Sequence, residues 1–289
     1  MVKEPLTEAA RRGRAPGSAE NDAMTADAAT PLPHIATGEA DDPRPPIVFL
    51  HGFAGDALAW GAIQPRVEPT RRTIAFDLPG HGAARDRERG NAGIAARAVR
   101  RSLETLGIPR AHLVGHSMGG AVACLVAMKS PDAVASMTLI APGGFGPEIN
   151  ARLLRRFAVA VDPSQLGPVL EGFFGFRSEV PADLLPLMAA VRSDPLLIDS
   201  FREIGEAILD GDGQTPLSLD RLADFPSPVR LVWGEEDNVV PCHQMGNAPE
   251  AFARHLLSGV GHMPHLERTD LVLRLILETV ASGERRGPG

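Results

Sequence analysis

Cysteine is nearly absent: Cys124 and Cys242 are the only two in 289 residues. So few cysteines exclude a disulfide framework, and neither stands at a metal-ligand spacing. A reducing, cytoplasmic compartment and a site without metal or cofactor are therefore expected. No uninterrupted apolar run approaches the roughly 18 residues that a bilayer crossing needs, so no membrane partner is expected. Basic residues are outnumbered, 29 Lys and Arg against 36 Asp and Glu, for a formal net charge of -7. That balance offers no concentrated basic surface and argues against a nucleic-acid partner. No internal repeat is visible.

What is present falls into three stretches. Residues 1–31 are small, charged and rich in breakers, as in Arg11-Arg12-Gly13-Arg14-Ala15-Pro16-Gly17-Ser18. Such a segment buries too little apolar surface to offset its ordering entropy, so a disordered N-terminal extension is expected. It lacks the continuous apolar stretch of a secretory signal and carries several acids. Residues 283–289 read as a disordered tail. The span 32–282 is long enough for one large α/β domain.

Within that span short apolar runs alternate with helical patterns. Ile47-Val48-Phe49-Leu50 and Thr73-Ile74-Ala75-Phe76-Asp77 read as strands, followed by a helix from about Ala92 to Leu106 with Gly107 as its C-cap. Ala111-His112-Leu113-Val114 and Met137-Thr138-Leu139-Ile140 are further strands. The alternation pauses over about 143–224 and resumes with Val229–Gly234, a helix near Gln244–Ala253, a strand at His255-Leu256-Leu257 and a helix over about Leu266–Ala281. Alternation of this kind predicts a mostly parallel sheet flanked by helices, with working residues at the carboxyl ends of its strands.

Gly115-His116-Ser117-Met118-Gly119 lies between an apolar strand and the alanine-rich helix that begins near Ala121 and stops at Lys129-Ser130-Pro131. The pattern reads as a nucleophile elbow, a sharp strand-to-helix turn that lifts a serine hydroxyl into a cleft. The flanking glycines suit a place where strand and helix cross too closely for side chains. A serine needs a base and an orienting acid. His262, in Gly259-Val260-Gly261-His262-Met263-Pro264-His265, is the base candidate, with His265 its rival. Asp237, in Trp233-Gly234-Glu235-Glu236-Asp237, is the acid candidate, with Glu235 and Glu236 as rivals. Chain order is then Ser, Asp, His. The amides of Met118 and Phe53 are the expected oxyanion donors.

These segments, together with Asp77-Leu78-Pro79-Gly80-His81-Gly82, resemble the α/β-hydrolase fold family over about residues 32–282. Within it, Leu139-Ile140-Ala141-Pro142-Gly143-Gly144-Phe145-Gly146-Pro147-Glu148-Ile149-Asn150 is similar to the hydrolase-like catalytic part of the acyltransferase component of acetoin dehydrogenase complexes. The resemblance implies a core at 32–142 and 225–282, with a helical cap at about 143–224 inserted after the sixth strand, the one ending at Ile140. The cap segment holds six of the 11 phenylalanines, Phe145, Phe157, Phe173, Phe174, Phe176 and Phe201. They roof an apolar site or merely pack the cap. Expected substrate contacts are His51, Gly52, His116, Phe145, Phe173, Phe174 and Val239, although His51 by itself reads as a loop brace. Arg152, Arg155 and Arg156 read as a solvated helix face, with an anionic substrate or a coenzyme A phosphate as the other reading.

The leading function is a serine hydrolase that cleaves a small or medium carboxylic ester, thioester or lactone through an acyl-enzyme. Its partner would be a small molecule with a hydrophobic acyl part, and a homodimer stays open. An acyltransferase and a C–C bond hydrolase of ring-cleavage products are the alternatives. Relatives with an aspartate nucleophile are disfavoured by the serine at 117.

Overall fold

The computed structural model describes residues 30–67 and 69–285. The expected extension therefore lies outside the described residues except for its last two, as does the end of the expected tail, 286–289.

Strands form where short apolar runs occur: β1 His34–Thr37, β2 Ile47–Leu50, β3 Thr73–Phe76, β4 Ala111–His116, β5 Val134–Ile140, β8 Val229–Gly234 and β9 Ala253–Leu257. They make one sheet in the order β1-β3-β2-β4-β5-β8-β9, with β1 antiparallel to β3 and every other neighbour pair parallel. The inner strands β2, β3, β4, β5 and β8 are buried on both sides because helices cover both faces, whereas the edge strands β1 and β9 are partly exposed. Ile47 and Phe49 point into a layer with Trp60 and Ile276, while Val48 and Leu50 point into a layer with Val99 and Val122. That alternation is the period-2 pleat of β2.

Helix α1 is the single turn Gln64–Val67, and α2 spans Ala92–Thr105. Asn91 caps α2 at its start, accepting from Gly93 N–H. Gly107 ends it with a φ of +65°, a left-handed value suited to glycine. Helix α3, Met118–Lys129, follows β4 directly. After β5 come α4 Ala151–Val159, α5 Pro163–Glu171, α6 Leu184–Val191, α7 Pro195–Ile208 and a small hairpin of β6 Leu209–Asp210 with β7 Gly213–Gln214. Helices α8 Pro264–Glu267 and α9 Thr269–Arg285 close the chain.

Four local expectations need correction. The strand ending at Ile140 is the fifth among the described residues, not the sixth. The helix expected near Gln244–Ala253 is a 3-10 turn over Cys242–Asn247. Pro249 explains this: its ring forces the preceding Ala248 out of the helical region, to φ -70° and ψ 149°. The final helix is split at Arg268, whose φ of -137° is not helical. It also continues through Arg285, three residues into the stretch read as a tail.

The phenylalanines of the 143–224 segment mostly pack. Phe157 touches both Phe53 and Phe173, at 6.2 and 4.7 Å between ring centroids. Phe201 meets Phe53 at 6.2 Å. Buried Arg192 stacks on Phe157 and Phe201, at 4.5 and 5.2 Å from their centroids, and donates to Phe157 O. Phe176 alone among the six is largely exposed.

Candidate active site

Ser117 sits between β4 and α3 with φ +52° and ψ -116°, a conformation rarely adopted by a non-glycine residue. Surrounding bonds hold it there: Ser117 N–H donates to Ile140 O at 2.9 Å, and Ser117 O accepts from Gly143 N–H at 3.0 Å. The close crossing read from the glycines is present. A Cβ on Gly115 would stand 2.3 Å from Gly119 O, and one on Gly119 would stand 2.1 Å from Leu50 O. Both clashes are with backbone, which cannot swing aside as a side chain would. Gly119→Ala is therefore expected to lose about 4 kcal/mol or more of stability, measured by urea denaturation; a loss under about 1 kcal/mol would contradict this crossing.

Asp237 leaves the carboxyl end of β8 and is buried. Its Oδ1 accepts from Val239 and Val240 N–H at 2.8 and 2.9 Å, and its Oδ2 accepts from the Trp233 indole at 3.0 Å. His262 Nδ1–H donates to the same Oδ2 at 2.8 Å. That bond fixes the tautomer and leaves Nε2 as the ring's acceptor. The rivals are placed elsewhere. Glu235 is exposed, and Glu236 accepts from Phe176 N–H. His265 lies against Trp60 and His116, at 5.1 and 4.4 Å between centroids, and burial holds its ring down at about 3.

The loop that carries His262 is tied down rather than free. His262 N–H donates to Phe173 O at 2.7 Å, and His262 O accepts from His116 Nε2 at 2.8 Å. Gly261 is required because Phe174 C would lie 2.5 Å from a Cβ there. The Glu267 carboxylate accepts from Gly261, Met263 and Gly175 N–H, joining this loop to the 143–224 segment. Glu267 was missed in the sequence; the one cue is an acid in the short turn after Pro264.

Ser117, Met118 and Phe53 open onto one cavity of about 360 Å³. Among the described residues, neither the Ser117 hydroxyl nor His262 Nε2 makes a hydrogen bond, and the Phe53 and Met118 amides donate to no group. Phe53, Ser117 and Met118 line the cavity, while His262 is buried and does not; hydrogen bonds in such sites commonly tighten only when substrate is present. A serine hydroxyl, an imidazole paired with a carboxylate and two unpaired amides form a set suited to acyl transfer.

Of the expected substrate contacts, Val239 lines the cavity. The other six do not. His51 is a brace: Nδ1–H donates to Gly52 O at 2.7 Å, Nε2 accepts from Leu78 N–H at 2.9 Å, and burial lowers its ring to about 4. Gly52 packs on His116, whose Nδ1 would be 2.8 Å from a Cβ at 52. Burial, with His265 and His262 nearby, holds His116 well below its ordinary value. Phe145 is edge-on to Trp233 at 6.0 Å, Phe173 lies on Phe157, and Phe174 is buried beside Gly261. Arg155 is held by Glu206 and Asp212, away from the cavity. Gln214 was missed: it lines the cavity while its Oε1 accepts from Gly144 N–H at 3.0 Å. It sits on a two-residue strand that carries no periodic signal.

Among the described residues no cluster of three or more His, Cys, Asp or Glu is arranged to hold a metal ion. No helix among them is long and apolar enough to cross a membrane.

Comparison with known proteins gives a consistent picture. Residues 47–275 match the model of the alpha/beta hydrolase family. The chain is 36% identical over 233 residues to the dihydrolipoyllysine-residue acetyltransferase component of the acetoin cleaving system of Pseudomonas putida, covering 80% of this chain and 62% of that protein. The match to its counterpart in Cupriavidus necator covers 60% of that protein, so the chain spans about three fifths of the length of these two relatives. It is also 31% identical over 263 residues to the 2-hydroxy-6-oxo-6-phenylhexa-2,4-dienoate hydrolase of Burkholderia cepacia, covering 82% and 88% of the two chains. A meta-cleavage product hydrolase from Pseudomonas fluorescens superposes with a TM-score of 0.75 at 22% identity, over 86% of this chain and 93% of that one. From the family match and these relatives, the chain belongs to the alpha/beta hydrolase family.

Proposed function

We propose that the protein is a serine hydrolase acting on a carboxylic ester, thioester or lactone. Ser117 Oγ attacks the carbonyl carbon while His262 Nε2 takes its proton. The amides of Phe53 and Met118 hold the oxygen as it becomes negative, and Asp237 orients and stabilises the imidazolium. Collapse of the tetrahedral intermediate breaks the acyl C–O or C–S bond, and His262 returns the proton to the leaving group. Water, activated by the same ring, then attacks the acyl-enzyme and releases the acid and free Ser117. The observation that carries this reading is the buried Asp237–His262 pair at 2.8 Å on loops at the carboxyl ends of the strands, where strained Ser117 also lies.

Acyl transfer is the second reading, favoured by the 36% identity to the acetoin-system acetyltransferase component. It uses the same acyl-enzyme and differs only in the acceptor. Product analysis with an octanoyl ester, with and without coenzyme A, separates the two. Free acid in both cases is the result expected here, whereas an acyl thioester formed at the expense of acid would replace hydrolysis with transfer. Turnover of a vinylogous keto acid with none of simple esters would replace both with C–C cleavage.

A further inference from the structure

The charge and shape of the cavity narrow the acyl group. None of the residues that line it is charged, although 22% of the chain is Asp, Glu, Lys or Arg. Its floor is one face of α3, where Met118, Ala121 and Leu125 stand at i, i+3 and i+7. Seven residues of helix make that floor about 10 Å long. Ser117 is at the inner end. Asn91, Thr215 and Pro216 on its lining are exposed, so the cavity opens to solvent. The nearby buried cation, Arg192, does not line it: its guanidinium is covered by Phe157 and Phe201.

We infer that the slot along α3 takes an uncharged acyl chain, lying from Ser117 past Ala121 to Leu125. An extended chain advances about 1.2 Å per bond, so about eight carbons fill the floor. Each methylene buried up to that length should raise kcat/KM about threefold to fourfold. Longer chains outrun this floor and gain nothing further from it. A carboxylate partway along meets no cation and loses its hydration.

This inference rests on the acyl-enzyme reading, and its test keeps the two apart. Nitrophenyl esters with acyl chains of two to twelve carbons are assayed on the full chain, beside labelling of Ser117 by a fluorophosphonate. The expected result is a rise to about eight carbons followed by a plateau. A six-carbon acyl group ending in a carboxylate should be at least about 100-fold poorer than its methyl-ended counterpart. Leu125→Trp, its folding checked by thermal transition, should lower the ratio of octanoyl to acetyl kcat/KM about tenfold. Rates independent of chain length with Ser117 labelled would overturn the slot and leave the hydrolase reading standing. Loss of Ser117 labelling with ester turnover intact would overturn the hydrolase reading itself.

Discussion

Ser117→Ala should lower ester turnover at least about 10⁴-fold and abolish fluorophosphonate labelling, while the thermal transition moves little. The size of the effect follows from the way the site is shared among its groups. The Asp237–His262 pair and the two amides stay in place in this variant, but they have no oxygen nucleophile to act on. Residual rate would come from binding and from the amides alone. Folding should survive because the serine side chain makes no hydrogen bond among the described residues, and the turn is held by backbone bonds to Ile140 and Gly143. Kinetics with a nitrophenyl ester and calorimetry on the same preparation check both halves. Full activity in this variant would remove Ser117 from the chemistry.

The second large effect is acid unfolding, and it comes from histidines outside that chemistry. His51 and His81 are buried, and each uses Nε2 as an acceptor, from Leu78 N–H and from Ala54 N–H. A second proton on either ring would break that bond. Burial lowers His51 to about 4, and it lowers His81, His112 and His265 to about 3 each, from an ordinary value of 6.5. The unfolded chain therefore binds more protons than the folded one as pH falls below 6.5. Stability from these four groups is intact above 6.5 and is lost progressively toward pH 4 and 3. Each withdraws more than about 1 kcal/mol per pH unit, against a total of about 5–15 kcal/mol for a folded domain. Cooperative unfolding is expected between about pH 6 and pH 4. Fluorescence of Trp60 and Trp233, both fully buried, reports it directly. Native emission retained at pH 4 would show that these rings tolerate charge where they stand.

The geometry of the candidate site was legible where its signals are local. The glycines around Ser117, the apolar run before it and the alanine-rich run after it each constrain a few neighbouring residues, and the elbow follows from them. Asp237 was preferred to Glu235 and Glu236 for its place directly before the apolar Val239-Val240-Pro241, and in the fold the amides of Val239 and Val240 donate to its carboxylate. The 143–224 segment was harder to read. A phenylalanine on an amphipathic helix buries itself equally well against a substrate or against its neighbours. Only the tertiary arrangement decides, and here Phe145, Phe173 and Phe174 face protein. Strands of two residues, such as the one holding Gln214, are too short for any period to show. Pro249 is a different case: its effect on Ala248 is local and was readable, so the helix expected over that stretch neglected a signal that was present.

Acid-quenched mass spectrometry during turnover of a nitrophenyl octanoate should find one octanoyl group per chain, on the peptide that carries Ser117 and absent from the Ser117→Ala variant. Steady turnover with that peptide unmodified, or with the acyl group on another residue, would contradict an acyl-enzyme on Ser117.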